Sequence, residues 1–287
     1  MPNAATHASL AAARSFLFVP ADRPERYAKA LASGADAVVV DLEDAIAPGA
    51  KLAARQALVQ AVSSLSAAEC SRLVVRINAV GSAWHGDDLA ALRSLVAQGV
   101  SAVMVAKAES AATLAEVAAA AGPACALLPL VESVAGLDAI DKLATCPQVL
   151  RLVFGHLDFQ ADAGMACGVD ESELVPVRLA FALASRRVGL AAPVDGVSPG
   201  TRDTAQLELD AARSRRGGFG GKLCIHPAQV ALVNAAFTPS ADELDWARRV
   251  QAAFTKAGGG VFSLDGRMVD APVLRLAQRT LAQAGAR

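Results

Sequence analysis

The chain has 287 residues, 54% of them hydrophobic but only 4% aromatic, and a formal charge of −1 at neutral pH. Charges of both signs are interspersed, which excludes the basic footprint of a nucleic-acid-binding protein or of a polybasic membrane-surface protein. The longest uncharged run, residues 117–131, contains a Gly-Pro breaker and is too short to span a bilayer. We therefore expect small molecules and other copies of the chain as partners.

The N-terminal residues and the cysteines indicate the cellular compartment of the protein. Residues 1–13 are rich in alanine and lack the basic segment of a secretory signal, so we expect a disordered lead-in. The five cysteines are an odd number and form no C-x-x-C pair, which is typical of reduced core residues. Together these features predict a cytoplasmic protein.

Eight short apolar runs then alternate with amphipathic segments. The runs cover residues 15–19, 37–40, 73–77, 102–105, 125–131, 150–154, 191–194 and 222–225. Helical patterns follow at 25–32, 51–62, 87–97, 111–121, 137–143, 174–187, 203–213 and 228–236. Eight strand–helix units predict an α/β fold, a (β/α)8 TIM barrel over residues 14–239. An open doubly wound sheet is less favoured, because no G-x-G-x-x-G follows the first run.

Residues 240–287 continue beyond the predicted barrel. A capping box at Ser240 and Glu243 predicts that a helix begins there. The Asp-Gly pair at 265–266 predicts a tight turn, and a last amphipathic helix follows at 272–284. A barrel closes without this C-terminal helical extension, so the extension is available for lid or subunit contacts.

Barrel enzymes build their sites at the carboxyl ends of the strands, and nearly every predicted strand ends in a polar group. These residues are Pro20, Arg23, Asp41, Glu43, Asp44, Arg76, Asn78, Lys107, Glu109, Glu132, Asp158, Asp195 and His226. Each one taken alone has another explanation, because strand-to-helix loops are polar and often supply helix caps. The whole set on one rim predicts an active site there.

Glu132 and Asp158 follow neighbouring strands, and two carboxylates at such positions predict a divalent cation site. Carboxylate ligands from two strand ends leave room for water and substrate oxygens, which suits Mg²⁺. The four histidines show no H-x-x-x-H pairing that would indicate zinc. The alternative is that one carboxylate caps a helix and the other pairs with Arg151 or Lys142.

Three further side chains have two explanations each. Arg76 either binds a substrate carboxylate or thioester oxygen, or forms an ion pair with the Asp41, Glu43 or Asp44 carboxylate. His156 is either a general base or a loop hydrogen-bonding group. Asp270, considered without any family information, is predicted to cap the last helix.

Eight segments occur in the order found in the citrate lyase β-subunit family, and the chain resembles its CoA-thioester lyases. The segments are RSFLFVPADRPERYAKAL, DLEDAIAPGAKLAAR, VVRINAVGSAWHGDDL, LLPLVESVAGL, FGHLDFQADAG, PVDGV, GFGGKLCIHPAQVALVNAAFTPS and GRMVDAP. The matches run from about residue 14 to 275. They are specific for the family and much less so for the substrate.

The resemblance implies roles for particular residues. Glu132 and Asp158 would bind Mg²⁺, and Arg76 would contact the substrate near the thioester and stabilise the enolate. Asp270 would reach into a neighbouring subunit's site as acid/base, in a homo-oligomer that is a trimer or a dimer of trimers. The family often has a small or acidic residue where His156 stands, so we expect a different pocket beside the metal.

We add Arg23, Glu43 and His156 to Arg76 as candidate substrate-binding residues. The expected activity is a Mg²⁺-dependent carbon–carbon lyase. It would cleave or form a 3-hydroxy-3-carboxyacyl thioester, such as citramalyl-, malyl- or citryl-CoA. The products of cleavage would be acetyl-CoA and an α-keto acid.

Three alternatives stay open. One is a class II aldolase of 4-hydroxy-2-keto acids, which would need a base on the barrel and no C-terminal arm. Another is the β subunit of a multi-subunit citrate lyase that acts on an acyl-carrier-protein thioester. The third is a catalytically idle binding subunit.

Overall fold

Eight parallel strands form a closed barrel in the computed structural model, which describes residues 4–258 and 260–285. The strands are β1 Ser15–Pro20, β2 Ala37–Asp41, β3 Leu73–Ile77, β4 Ala102–Val105, β5 Ala126–Val131, β6 Val153–Phe154, β7 Val194–Asp195 and β8 Gly221–Cys224. They pair in chain order, and β8 returns to pair with β1. The predicted (β/α)8 barrel is therefore confirmed.

Helices surround the strands and follow each of them along the chain. They are α1 Ala4–Ala12, α2 Tyr27–Leu31, α3 Lys51–Val62, α4 Ala67–Cys70, α5 His85–Ala97, α6 Ala111–Ala121, α7 Val134–Asp138, α8 Ile140–Ala144, α9 His156–Asp162, α10 Val175–Arg187, α11 Thr204–Arg216 and α12 Val230–Ala236. Short 3₁₀ helices cover Pro24–Arg26, Pro48–Ala50, Ser172–Leu174 and Pro227–Gln229. Across the described residues, no helix has both the length and the apolar character needed to cross a bilayer.

Strands β6 and β7 are shorter than the predicted runs at 150–154 and 191–194. Just before these strands, a side chain connects the two segments. Arg151 is fully buried, and its Nε donates to the carbonyl oxygen of Ala192 at 2.7 Å. That carbonyl accepts from a guanidinium, and the residues that pair between β6 and β7 are Val153 and Val194.

Residues 4–12, which we expected to lie in a disordered lead-in, form helix α1, so that prediction is corrected; residues 1–3 lie outside the described residues. Leu10 and Ala13 are buried and belong to the apolar core of the barrel. Arg151 Nη1 donates to the carbonyl oxygens of Leu10 at 3.1 Å and Ala13 at 2.5 Å. The helix end is held because a buried cation supplies donors for carbonyls that a helix leaves unpaired.

Arg151→Met should lower the free energy of unfolding by about 3 kcal/mol, because two buried carbonyl groups and one partly buried carbonyl group would lose their donor. Urea denaturation followed by circular dichroism measures the change. Arg187→Met is the control, since Arg187 forms an exposed ion pair with Asp141. That control should shift stability by less than about 0.5 kcal/mol. Equal stability of both variants would show that the Arg151 contacts contribute nothing.

The chain divides into two compact units, one ending at Asn234 and the next beginning at Ala235, where we had placed the boundary at 239. The second unit contains helices α13 Ala241–Lys256 and α14 Ala271–Gly285 and an antiparallel hairpin of β9 Phe262–Leu264 and β10 Arg267–Val269. Its apolar core includes Val250, Val269 and Ala277. The last two residues of the predicted extension, 286 and 287, lie outside the described residues.

Two local predictions in this unit are confirmed. Ser240 and Glu243 form the capping box at the start of α13, each side chain satisfying a backbone N–H of the other. Asp265 and Gly266 connect the hairpin strands with φ of 52° and 75°, the left-handed pair typical of a type I′ turn.

Candidate active site

A cavity of about 430 Å³ opens at the carboxyl ends of the barrel strands. Its polar lining includes Arg76, Glu132, His156 and Asp158, which the sequence singled out. Apolar side chains from β1, β5 and β8 complete the wall, among them Phe18. The fold therefore brings together four polar residues from a stretch of chain in which Arg76 and Asp158 are 82 positions apart.

Glu132 directly follows β5, and the residue is only 3% exposed to solvent. Its Oε1 accepts a hydrogen bond from the backbone N–H of Lys107 at 2.8 Å. Burial, together with the negative charge of Glu43, raises the pKa of Glu132 to about 8. A carboxylate in such surroundings favours a proton or a cation as its partner.

Asp158 lies in the first turn of α9 and is exposed to the cavity. Its charge contributes to the raised pKa of Glu132. Gly155, at the end of β6, permits the close approach of the two segments. A Cβ at this position would lie 2.6 Å from Glu132 Oε2, closer than a side chain can come.

The alternative partners proposed for these carboxylates do not occur in the described residues. Arg151 donates to backbone carbonyls, and Glu132 accepts from Lys107 N–H. Both carboxylates instead line the same cavity. Among the described residues, no group of three or more His, Cys, Asp or Glu is arranged to hold a metal ion.

Arg76, on β3, forms the ion pair that we had considered as an alternative to substrate binding. Its Nε and Nη2 donate to the two oxygens of Asp41 on β2, at 2.7 and 2.6 Å. Strand register causes this contact, because Asp41 pairs with Arg76 across the parallel β2–β3 ladder. The guanidinium also lies over the Phe18 ring at 4.9 Å and lines the cavity.

Glu43 does not border the main cavity, but it supports Arg76. Its Oε2 lies 2.8 Å from Arg76 Nη1, in ion-pair contact without the alignment of a hydrogen bond. Burial raises the pKa of Glu43 to about 7, although the positive charge of Arg76 opposes this change. Asp44, which is more exposed, approaches the same Nη1 at 3.3 Å.

Lys51, a residue that the sequence did not single out, fixes this carboxylate loop. Its ammonium donates to the carbonyl oxygens of Leu42 and Glu43 at 2.8 and 2.6 Å and to Asn78 Oδ1 at 2.7 Å. Only its place in the first turn of a helix is visible in the sequence. Nothing local indicates that it folds back onto the end of β2.

His156 begins α9 and is 2% exposed, with its ring in the cavity wall. Its Nε2 contacts Glu171 Oε1 at 3.1 Å. Burial opposes ionisation of Glu171, but His156 and Arg178 lower its pKa to about 2. Glu171 was also missed by the sequence, because it stands in a polar segment that resembles an ordinary loop.

Arg23 borders neither this cavity nor its neighbour; its side chain is exposed and lies 3.9 Å from Asp22. The neighbouring cavity, of about 520 Å³, shares Phe18 and Pro20 with the first. Its lining includes Arg26, Lys29 and His226. A substrate-binding role for Arg23 stays a prediction.

Asp270 belongs to the second unit and precedes α14. Its Oδ1 accepts the backbone N–H of Val273 at 3.2 Å, which is the capping contact considered from the sequence. The other carboxylate oxygen is not used in that contact. Its role in a neighbouring subunit's site stays a prediction.

Residues 14–227 match the model of the HpcH/HpaI aldolase/citrate lyase family. A citrate lyase subunit beta-like protein of Mycobacterium tuberculosis is 38% identical over 280 residues, which cover 96% of this chain and 97% of the relative. A (3S)-malyl-CoA thioesterase of Cereibacter sphaeroides is 34% identical over 276 residues, covering 95% of each chain.

Solved structures resemble the chain over a similar length. The protein CitE from Mycobacterium tuberculosis, in complex with magnesium, acetoacetate and coenzyme A, superposes with a TM-score of 0.82 and 37% identity. The match covers 96% of this chain and 99% of that one. A citrate lyase beta subunit from the same organism, complexed with oxaloacetate and magnesium, gives a TM-score of 0.69 and 36% identity, covering 80% and 99%.

Proposed function

The chain belongs to the HpcH/HpaI aldolase/citrate lyase family, and from that premise we propose a Mg²⁺-dependent carbon–carbon lyase of 3-hydroxy-3-carboxyacyl-CoA thioesters. Malyl-, citramalyl- and citryl-CoA are the candidate substrates, with acetyl-CoA and glyoxylate, pyruvate or oxaloacetate as products. The observation that carries the proposal is the meeting of Glu132, Asp158 and Arg76 in one cavity.

The donor set fits Mg²⁺. Mg²⁺ usually takes one or two protein carboxylates and completes its coordination with water or substrate oxygens. Glu132 and Asp158 supply two carboxylates, and the crowding of negative charge around Glu132 favours a cation there. When bound, Mg²⁺ would act as a Lewis acid on the keto-acid half of the substrate.

Arg76 would bind the thioester oxygen, where negative charge develops as the carbon–carbon bond breaks. A guanidinium has five N–H donors; Asp41 takes two of them, and Nη1 donates a third to Asp44 at 3.3 Å. The bidentate pair holds the plane of the guanidinium, which lines the cavity, so the group is already oriented before substrate binds. Asp41 is thus a positioning partner for Arg76.

We assign the proton transfer at the acetyl carbon to Asp270 from a neighbouring copy in a homo-oligomer, a trimer or a dimer of trimers. The bond between C2 and C3 breaks, and its electron pair passes to the thioester enolate. The 3-hydroxyl loses its proton to water as the keto group forms, Asp270 as the acid protonates C2, and Asp270 regains its proton from water, so the reaction is balanced without an added oxidant or reductant.

The neighbouring cavity suits the CoA part of the substrate, because Arg26 and Lys29 line it and it shares the wall residues Phe18 and Pro20 with the main cavity. Arg26→Ala and Lys29→Ala should each raise KM for the CoA thioester about tenfold with little change in kcat. Steady-state kinetics measures the effect. Arg23→Ala is the comparison, since Arg23 borders neither cavity. An equal rise in KM for Arg23→Ala would indicate that Arg23 also binds the substrate.

Mg²⁺ affinity should depend on pH through Glu132, whose pKa is raised from 4.5 to about 8. Below that pKa the metal-free carboxyl is protonated, so Mg²⁺ must displace a proton and its affinity should rise about tenfold per unit between pH 6 and 8. Titration calorimetry in buffers of different ionisation enthalpy measures the proton release. A pH-independent affinity, or one that falls as pH rises, would contradict this assignment.

The unfolding free energy gives an independent check of the same group. The metal-free folded state binds more protons than the unfolded state between pH 4.5 and about 8, so its stability should fall as pH rises through this window. Saturating Mg²⁺ should remove the contribution of Glu132 to that slope and leave the contribution of Glu43, whose pKa is raised to about 7.

One assay tests the function against its alternatives. Purified protein is incubated with Mg²⁺ and malyl-, citramalyl- or citryl-CoA, with a 4-hydroxy-2-keto acid alongside, and keto acid, acetyl-CoA and free CoA are measured separately. Keto acid and acetyl-CoA in equal amounts support the lyase. Free CoA without keto acid would indicate thioester hydrolysis, the activity named for the Cereibacter relative. Cleavage of the 4-hydroxy-2-keto acid alone would indicate an aldolase.

A negative result has two distinct meanings. Activity on an acyl-carrier-protein thioester but not on CoA thioesters would identify the β subunit of a larger lyase. No cleavage of any thioester, with EDTA without effect on whatever activity is found, would overturn the proposal.

A further inference from the structure

The imidazole of His156 is held in the cavity wall from two sides. Glu171 contacts Nε2 at 3.1 Å, and Gly196, at the end of β7, lies against Nδ1. His156 and Gly196 line the same cavity as Asp158. The ring is therefore fixed next to the carboxylates proposed to bind the metal.

Glu171 is anchored more strongly than an ordinary loop residue. It has a left-handed φ of 48°, which a non-glycine residue adopts only when its surroundings impose it. Its Oε2 accepts hydrogen bonds from Arg178 Nη2 at 2.5 Å and Arg213 Nη2 at 2.9 Å. Two guanidinium groups thus hold the carboxylate that holds His156.

Gly196 admits the ring from the other side. A Cβ at this position would lie 2.0 Å from His156 Nδ1, so the imidazole occupies the space that any side chain at 196 would fill. Gly196 does not have a left-handed backbone, so the requirement for glycine is steric and comes from His156. Alanine at 196 and the observed ring position exclude each other.

We infer that His156 is a specificity-determining residue whose fixed ring limits the size of the C3 substituent that the cavity accepts. The inference rests on the proposed lyase function. Malyl-, citramalyl- and citryl-CoA differ only at C3, which carries hydrogen, methyl or carboxymethyl. The wall beside Asp158 is where that substituent must fit if the 3-hydroxyl and 3-carboxylate face Glu132 and Asp158.

The direction of the selection follows from how the ring is held. Nε2 contacts the Glu171 carboxylate, and Nδ1 lies against Gly196. The ring cannot move aside, so it should exclude a carboxymethyl group on C3 from this part of the cavity. The chain should prefer malyl- or citramalyl-CoA to citryl-CoA. Glu171 acts through His156 and is a positioning residue.

The test measures kcat/KM for the three thioesters in the wild type, His156→Ala, Gly196→Ala and the double variant. His156→Ala should raise the ratio of citryl-CoA to malyl-CoA about tenfold or more. Gly196→Ala should lower kcat/KM for the preferred substrate about tenfold when His156 is present and have little effect when it is absent. Gly49→Ala is the matched control, because a Cβ at 49 meets no atom within 4 Å.

A second readout does not depend on turnover. Isothermal titration of pyruvate and oxaloacetate in the presence of Mg²⁺ should show the same change of preference in His156→Ala. Thermal unfolding should show that the double variant is more stable than Gly196→Ala alone, which keeps the test informative if that single variant folds poorly.

Glu171→Gln separates positioning from structure. It keeps a hydrogen-bond acceptor for His156 but weakens both guanidinium contacts, so it should move the citryl-to-malyl ratio in the same direction as His156→Ala. A change in melting temperature with an unchanged ratio would show a structural role only.

Failure of the inference and failure of the function are distinct. The inference is wrong if thioesters are cleaved but the citryl-CoA to malyl-CoA ratio of kcat/KM is the same in His156→Ala as in the wild type. It is also wrong if Gly196→Ala lowers kcat/KM by the same factor with and without His156. If the wild type cleaves none of the thioesters, the proposed function fails first.

Discussion

Glu132→Gln should lower kcat/KM about 10³-fold or more and remove the dependence of activity on Mg²⁺. The substitution deletes the negative charge of the one buried carboxylate proposed to bind the metal, and the loss of a metal ligand costs several kcal/mol of transition-state stabilisation. Glutamine keeps the side-chain volume and an oxygen that can accept the Lys107 N–H. The fold should therefore survive.

Stability measurements separate this effect from misfolding. The Glu132 carboxylate is crowded by the charges of Glu43 and Asp158, so removing its charge should leave the metal-free protein at least as stable as the wild type near pH 8. Mg²⁺ should no longer raise the melting temperature. Asp141→Asn, which alters an exposed ion pair with Arg187, is the control and should keep full activity. A Glu132→Gln enzyme that retains Mg²⁺-dependent turnover would exclude Glu132 as a ligand.

Asp270→Asn should lower kcat about 10²-fold to 10⁴-fold, because an amide cannot exchange the proton of the acetyl carbon. Asparagine caps a helix as well as aspartate does, so the contact with Val273 N–H should be kept. Mg²⁺ binding and the melting temperature should match the wild type. Asp270→Ala is the informative comparison, since it should lose the cap as well as the activity.

Hybrid oligomers test whether Asp270 acts in a neighbouring copy. When Glu132→Gln and Asp270→Asn chains are co-expressed, some sites combine an intact barrel with an intact neighbouring Asp270. Random assembly of equal amounts should restore about a quarter of wild-type activity, although each parent is inactive. If Asp270 served its own barrel, no hybrid site would be intact and no activity would return. Full activity of Asp270→Asn itself would remove its assigned role.

Local patterns predicted most of the elements of this fold. Short apolar runs bounded by polar residues predicted eight strands, and the barrel follows because each run is joined to the next by a helix. The cap at Ser240 and the turn at Asp265 were predicted for the same reason, since each depends on residues a few positions apart.

The candidate site was predicted only in part. Glu132, Asp158, Arg76 and His156 were singled out because they follow strand ends, and the cavity contains all four. Lys51 was missed because its partners come from strand ends and loops elsewhere in the chain. Glu171 was missed because the loop that carries it has no periodic pattern.

The sequence by itself determined the number and order of the strand–helix units, the polar rim at the strand ends and the family to which the chain belongs. These properties depend on spacing, which is a local quantity. Only the tertiary structure decided that Arg151 binds carbonyls 138 and 141 residues away and that α1 is ordered. It also decided that Gly196 makes room for His156. Such contacts join segments distant in the chain, and burial and steric exclusion act between them only after the barrel has closed.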